Sequence, residues 1–158
     1  MITIRACHLD DLEAVVDILM NKRRLYAELE PALWTVSHGA EQWTEAHFAT
    51  LLALPDQLFL VAEGSGKVMG FLVASPKSSP PVYAREPTAA IEDFYVADAS
   101  DWPDVGGALL SEARANLKKR GIAQFVLVSA FLDEAKMAFL ASQGLPIVSA
   151  SITSMVDL

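Results

Sequence analysis

The chain has one cysteine, Cys7, and therefore no internal disulfide; a lone free cysteine suits a reducing compartment. It has no apolar run near the roughly 20 residues that a spanning helix requires. Positive charge is scarce: 12 Lys and Arg against 20 Asp and Glu give a formal charge of −8 and a pI near 4.7. That balance argues against nucleic acid and anionic membrane as partners, since both need clustered bases, and favours cations and amines. His8, His38 and His47 lack the paired spacing of a metal helix, so no metal is expected. Ser111 and Ser129 lie in no nucleophile-elbow sequence. The start, MITIRACHLDD, lacks the basic-then-apolar form of a secretory signal. What is present is an apolar fraction of 53% in 158 residues, enough for a sizeable core. The expectation is one soluble, cytoplasmic domain over residues 1–158.

Hydrophobic periodicity supplies the element order. Ile2 and Ile4 alternate as a short strand. Leu12, Val15, Val16 and Leu19 recur at helical spacing over residues 10–29, with Asp10 and Glu13 as a capping pair and Pro31 as the stop. Thr44 is read as the cap of a second helix carrying Phe48, Leu51 and Leu52. Leu58–Ala62 and Val68–Ala74 form a hairpin around Gly64-Ser65-Gly66. Residues 75–87, with four prolines, read as a loop. Ala89–Val96 is a third strand, and Gly106, Leu110, Ala113 and Leu117 mark a helix closed by Gly121. Phe125–Ser129 is a buried strand, Asp133–Gln143 a last helix, and residues 146–158 favour strand. The strand–helix–strand unit over 89–129 requires a parallel pair in an otherwise antiparallel sheet. The fold class is α/β with a mixed sheet.

Ile91-Glu92-Asp93-Phe94-Tyr95-Val96, leading to Val105-Gly106-Gly107-Ala108-Leu109-Leu110, resembles the GNAT superfamily of acyl-CoA-dependent N-acyltransferases. Ile2-Thr3-Ile4-Arg5-Ala6 and Phe139-Leu140-Ala141-Ser142-Gln143-Gly144-Leu145 match its opening strand and late helix, so the resemblance spans nearly the whole chain. It implies a mostly antiparallel sheet with a splayed central parallel pair and helices on both faces. It implies acetyl-CoA as co-substrate and an amine of a small molecule or peptide as acceptor. Backbone groups of Phe94, Tyr95 and Val96 would hold the pantetheine arm, and Val105, Gly106 and Gly107 the pyrophosphate, where helix amides and glycine favour a close anion. An alkylamine arrives mostly protonated, so a base is needed. Glu92 stands at the family's base position, with Asp93 beside it; strand alternation would let only one of them reach the amine. The opposing reading makes both ordinary polar residues of a strand bulge. Tyr26 and Trp34, with Asp93, would line the acceptor side, the opposing reading for each aromatic being core packing.

Three positions depart from the family pattern. Asp101 and Asp104 replace the Arg or Gln and the Gly of the phosphate loop. A carboxylate about 6 Å from a phosphate charge costs on the order of 3 kcal/mol at an effective dielectric near 20, more than the roughly 0.3–1 kcal/mol a helix N-terminus returns. Leu140 replaces the tyrosine that protonates the leaving thiolate; Tyr26, Tyr83 and Tyr95 are possible substitutes. Asp133 replaces an Asn near the pantetheine and reads as a helix cap. Lys22-Arg23-Arg24 reads as a solvated face, and Lys118-Lys119-Arg120 as cations at a helix end; one of these, or Arg114, would meet the 3′-phosphate. These departures keep a catalytically inactive binding or regulatory module as the alternative function. An exposed strand edge in the tail invites a homodimer.

Overall fold

Alternation along the central strands decides which helices cover which face. In β2 (Leu58–Gly64), Leu58, Leu60 and Ala62 enter one apolar core while Phe59 and Val61 enter another. In β3 (Lys67–Lys77), Leu72 and Ala74 join the first core and Phe71 and Val73 the second. Two-faced burial of this kind requires a layer of helices on each side. The computed structural model describes residues 1–78, 80–84 and 86–156. Ser79 and Arg85 of the proline-rich connection, and Asp157 and Leu158 of the tail, lie outside the described residues.

The remaining elements are β1 (Ile2–Ala6), α1 (Leu12–Leu29), α2 (Pro31–Trp34), α3 (Ala40–Leu52), β4 (Thr88–Val96), α4 (Gly107–Lys119), β5 (Gln124–Leu127) and α5 (Glu134–Ser142). The sheet order is β1-β2-β3-β4-β5, antiparallel except for the parallel pair β4–β5. Val15, Leu19, Phe48 and Leu51 place α1 and α3 on one face, and Leu109, Leu110, Ala113, Phe139 and Leu140 place α4 and α5 on the other. Cys7 is buried, and burial pushes its thiol up to about 12. Among the described residues, no helix is long and apolar enough to cross a membrane.

Several boundaries differ from expectation. Asp11, not Asp10, stands at the N-cap position of α1, and its side chain caps no amide of that helix; its Oδ2 accepts the His8 amide at 2.8 Å across the turn Leu9–Asp11. Pro31 opens the short α2 at a position where its missing N–H costs nothing. Thr44 does not cap α3: its Oγ donates to Ala40 O at 2.6 Å from inside a helix that begins four residues earlier. β3 continues through Pro76, paired with Ala89, to Lys77. The β2 pairing ends at Ala74, so beyond it the other edge of β3 lacks a strand and a proline is tolerated there. Lys22 is buried and Arg23 half-buried, its guanidinium bonded to Thr44; only Arg24 of that basic run is exposed. The tail expected as strand makes none over residues 145–156, and Ile147, Val148, Ile152, Met155 and Val156 are exposed.

Candidate functional site

Glu92 is the extra residue of a β-bulge. Asp93 pairs with Val73 and Ile91 with Ala74, which leaves Glu92 no partner on β3. A bulge interrupts the two-residue alternation. Ile91 and Phe94 therefore enter the same core although three positions apart. Tyr95 packs on the opposite, α1–α3 side, and Asp93 senses Arg23 of α1 and His47 of α3. Strict alternation, which would turn Glu92 and Asp93 to opposite faces, does not hold here. Burial, chiefly, raises the Asp93 carboxyl above the ordinary range; Arg23 and Lys136 pull it down and Glu92 adds to the rise. Glu92 is exposed, with Ser75 Oγ 3.3 Å from its Oε2.

The same strand borders an opening. β4 and β5 stay in register only from Thr88↔Gln124 to Ile91↔Leu127, and the Val128 amide donates to Ile91 O at 3.2 Å. β5 then ends while β4 runs on to Val96, so residues 92–96 have a strand partner on one edge only. This is the splayed pair that the resemblance implies.

Lys136 of α5 reaches into that opening. It is 0% exposed, and its Nζ lies 4.2 Å from the Tyr95 ring centroid, 5.8 Å from that of Trp102 and 5.9 Å from that of Phe94. Phe94 and Tyr95 point to opposite faces, so a group near both rings sits at the edge of β4, within the plane of the sheet. The Nζ has no hydrogen-bond partner, and neither has the buried Nε1 of Trp102. Buried donors left unpaired are uncommon and costly. Two of them beside an unpaired strand edge fit an extended ligand carrying carbonyl oxygens, as a pantetheine arm does. Burial lowers the Lys136 pKa to about 8, with Asp133 and Asp93 opposing the fall.

Asp133 joins α1 to α5. Its Oδ1 accepts the Lys136 amide at 3.1 Å, which is the expected helix cap, and its Oδ2 accepts the Tyr26 hydroxyl at 2.7 Å. The Tyr26 ring lies 5.4 Å from that of Trp34 and 6.3 Å from that of Tyr95. Tyr26, Trp34, Asp93 and Tyr95, singled out separately in the sequence, are thus gathered around α1 and β4. Burial drives the Tyr26 hydroxyl far up and the Tyr95 hydroxyl up to about 12, so both hold their protons tightly. Leu140 is buried in the α4–α5 core.

The start of α4 differs from a phosphate cradle. Asp98 Oδ1 accepts the Ser100 amide at 2.8 Å and its hydroxyl at 2.7 Å. Helical structure then runs from Ala99 through a π-helical turn at Trp102–Gly106 directly into α4. The Gly107 amide donates to the carbonyls of Asp104 and Trp102. Val105 and Gly106 are buried; a Cβ on Gly106 would stand 2.6 Å from a ring carbon of Trp102, whereas Gly107 faces open space. Residues 105–107 therefore lie well inside a helical run whose free end is already capped by Asp98. Arg114 rests over Phe125, 5.9 Å from its centroid, and Arg120 donates to Asp56 O at 3.1 Å.

Lys136 is the residue that the sequence reading missed. Its signal was available: Lys136, Phe139 and Leu140 share one stripe of α5, and a lysine on an apolar stripe calls for a buried reason.

The family model described as Acetyltransferase (GNAT) family matches residues 15–145. No curated protein matches the chain by sequence. Among solved structures, a tetramutant of the BH1408 protein from Bacillus halodurans is 14% identical over 98% of this chain and 99% of its own, with a TM-score of 0.86. An aminoglycoside N-acetyltransferase, AAC(6′)-Iy, solved with CoA is 15% identical over 100% and 96%, with a TM-score of 0.71. Glucosamine-6-phosphate N-acetyltransferase from Arabidopsis thaliana is 14% identical over 99% of each chain, with a TM-score of 0.68. At these identities the likeness establishes the fold.

Proposed function

The chain belongs to the GNAT acetyltransferase family, and from that premise we propose that it transfers an acetyl group from acetyl-CoA to a primary amine of a small molecule or peptide, as a cytoplasmic homodimer. The observation that carries this reading is the pairing of a bulged Glu92-Asp93 with an open β4 edge and two orphaned buried donors. The relatives reported above include enzymes named for amino-sugar acceptors and one solved with CoA, which supports both the donor and the acceptor class.

Acetyl-CoA, when bound, supplies the acetyl group as a thioester. The backbone of Phe94–Val96, lacking a strand on one edge, pairs with the pantetheine arm as a further strand would. Its amides also hold the oxygen that becomes negative as the amine attacks. Asp93 holds the incoming ammonium, with Tyr26, Trp34 and Tyr95 as an aromatic wall that a cation favours. An alkylammonium with a pKa of roughly 10.4 must lose a proton before it can attack. Glu92, exposed at the bulge, takes that proton through water and returns it to solvent.

Calorimetry with acetyl-CoA, followed by thiol-release assays against polyamines, aminoglycosides, amino acids and peptide amines, tests the reading. Binding and amine-dependent thiol release are expected. No heat at millimolar acetyl-CoA would end it in favour of a binding module that has lost the chemistry. Sedimentation at micromolar protein tests the dimer, for which a monomer is the contrary result.

A further inference from the structure

The leaving sulfur in such a transfer needs a proton, and Leu140 has none to give. The tyrosines nearest the site do not supply it: Tyr26 donates to Asp133, and both Tyr26 and Tyr95 are driven to higher pKa by burial. Lys136 has what they lack. Its ammonium is fully buried, unbonded, and lies in the plane of the sheet where β5 has parted from β4. It stands beside the 94–95 edge, whose other flank carries the Glu92-Asp93 bulge. Asp93 and Lys136 also sense each other's charge. A thioester running along this edge, with its amine on Asp93, has Lys136 on the remaining side.

We propose that Lys136 is a catalytic residue, the acid that protonates the departing thiolate in the opening between β4 and β5. This rests on the acetyltransferase reading above. As the amine nitrogen forms its bond to the acetyl carbon, the C–S bond breaks and sulfur leaves with the electron pair. Lys136 Nζ gives that sulfur one proton and becomes a neutral amine. The proton lost by the attacking amine leaves through Glu92, and Lys136 is recharged from solvent once the thiol has gone. Charge and atoms balance with no further reactant. A thiol has a pKa of about 8.5, and the lowered Lys136 value of about 8 makes the transfer nearly level. Burial lowers this value most; Asp133 at the cap of α5 and Asp93 on β4 raise it, and Lys22 on α1 lowers it further, while Tyr95 on β4 presents its ring to the Nζ and Tyr26 on α1 its hydroxyl to Asp133. Trp102, which carries no charge, lies with its ring centroid 5.8 Å from the Nζ.

The test uses coenzyme A itself as probe. The thiolate absorbs in the ultraviolet and the thiol does not, so its titration can be followed in the protein–CoA complex without turnover. In the parent, the bound thiol is expected to titrate about one unit below the free value of about 8.5, because Lys136 favours the thiolate. In Lys136→Met, it should return to the free value or above. Release of thiol from acetyl-CoA, with water as the acceptor, should fall 10²- to 10⁴-fold in Lys136→Met, the range for losing a general acid. The KM for acetyl-CoA should change little. Lys136→Arg keeps the charge but yields no proton at this pH, so it should keep the lowered thiol pKa and still lose rate. Lys136→Met should also raise Tm, since it removes an unpaired buried charge; a folded, more stable and slower variant separates loss of an acid from loss of structure. An unmoved thiol titration with a rate within twofold of the parent overturns the proposal. So does a mass gain of one acetyl on Lys136, which would make it a nucleophile. Failure of the parent to bind coenzyme A would instead overturn the acetyltransferase reading, and this assignment with it.

Discussion

At the residue scale, the proposed mechanism divides one task between two neighbouring carboxyls, because a single bulge gives them different surroundings. Asp93 is half-buried and its pKa raised by burial, while Glu92 stands in solvent beside Ser75. Asp93→Asn should therefore raise KM for the amine about tenfold or more with a modest change in kcat. Glu92→Gln should lower kcat 10²-fold or more at similar KM. Steady-state kinetics on one amine reads both, and a reversed split would exchange the two roles. In its proposed role Asp93 binds the ammonium only when ionised, so KM for the amine should start to rise on acidification above the pH at which an ordinary carboxyl would protonate. A third carboxyl, Asp11, is structural. Asp11 takes two bonds from Arg5 at 2.7 and 2.8 Å, and Arg5 also bonds Glu63 at 2.9 Å. The Arg5 bonds hold the Asp11 pKa below the ordinary value. That contribution is present above the unfolded pKa of about 3.9 and is lost as pH falls through the lower folded value. Asp11→Ala should cost about 2 kcal/mol at pH 7, and the gap to the parent in urea unfolding should narrow below about pH 4. A gap that stays constant to pH 2 would mean the loss is one of packing.

At the element scale, the sequence was readable where periodicity is uninterrupted and misleading where it is not. The strands β2 and β3 and the helices α1 and α4 carry their burial pattern openly, and the parallel β4–β5 pair follows from the strand–helix–strand order. The bulge at Glu92 was hidden because it is defined by the partner, two residues opposing one on β3, and no single strand records that count. The start of α4 was hidden by Pro103 and the acids, which read as loop. Asp98 in fact begins a helical run that turns Trp102 into the core, 5.0 Å from Phe94 and 5.1 Å from Phe139. Two glycines that look alike in sequence now separate. Gly106→Ala should destabilise the protein by about 1–3 kcal/mol, because the new methyl meets the Trp102 ring in a packed core. Gly107→Ala should stabilise by about 0.5–1 kcal/mol, since the position is helical and open. Equal effects from the two, measured by denaturant unfolding, would mean that Trp102 does not pack on Gly106. Asp104→Gly should tighten coenzyme A if that carboxylate opposes the phosphates; unchanged affinity would show that it points its charge to solvent.

At the scale of the whole molecule, the deficit of positive charge proves to be local. Between Glu86 and Glu112 there are seven acids and no Lys or Arg, while the other 13 acids face all 12 bases. That segment holds the bulge, the β4 edge and the acidic start of α4, so in the proposed reaction one field bears on both substrates. It attracts an ammonium and repels a polyphosphate. Lys136 is the local exception: a cation placed in the sheet plane, where a leaving sulfur rather than a phosphate would lie. The two substrates should consequently respond to salt in opposite directions. Surface fields are largely screened beyond about 10 Å at 0.1 M salt and about 3 Å at 1 M. Raising the salt from about 0.05 to 0.5 M should increase KM for a cationic amine several-fold, because the attraction is screened. Over the same range the Kd of coenzyme A should fall or hold steady, because what is screened is repulsion. A basic phosphate site would behave in the contrary way, losing affinity steeply with salt. Parallel weakening of amine and coenzyme A would therefore show that a cation from elsewhere in the chain reaches the phosphates, and that the acidic segment does not govern donor binding.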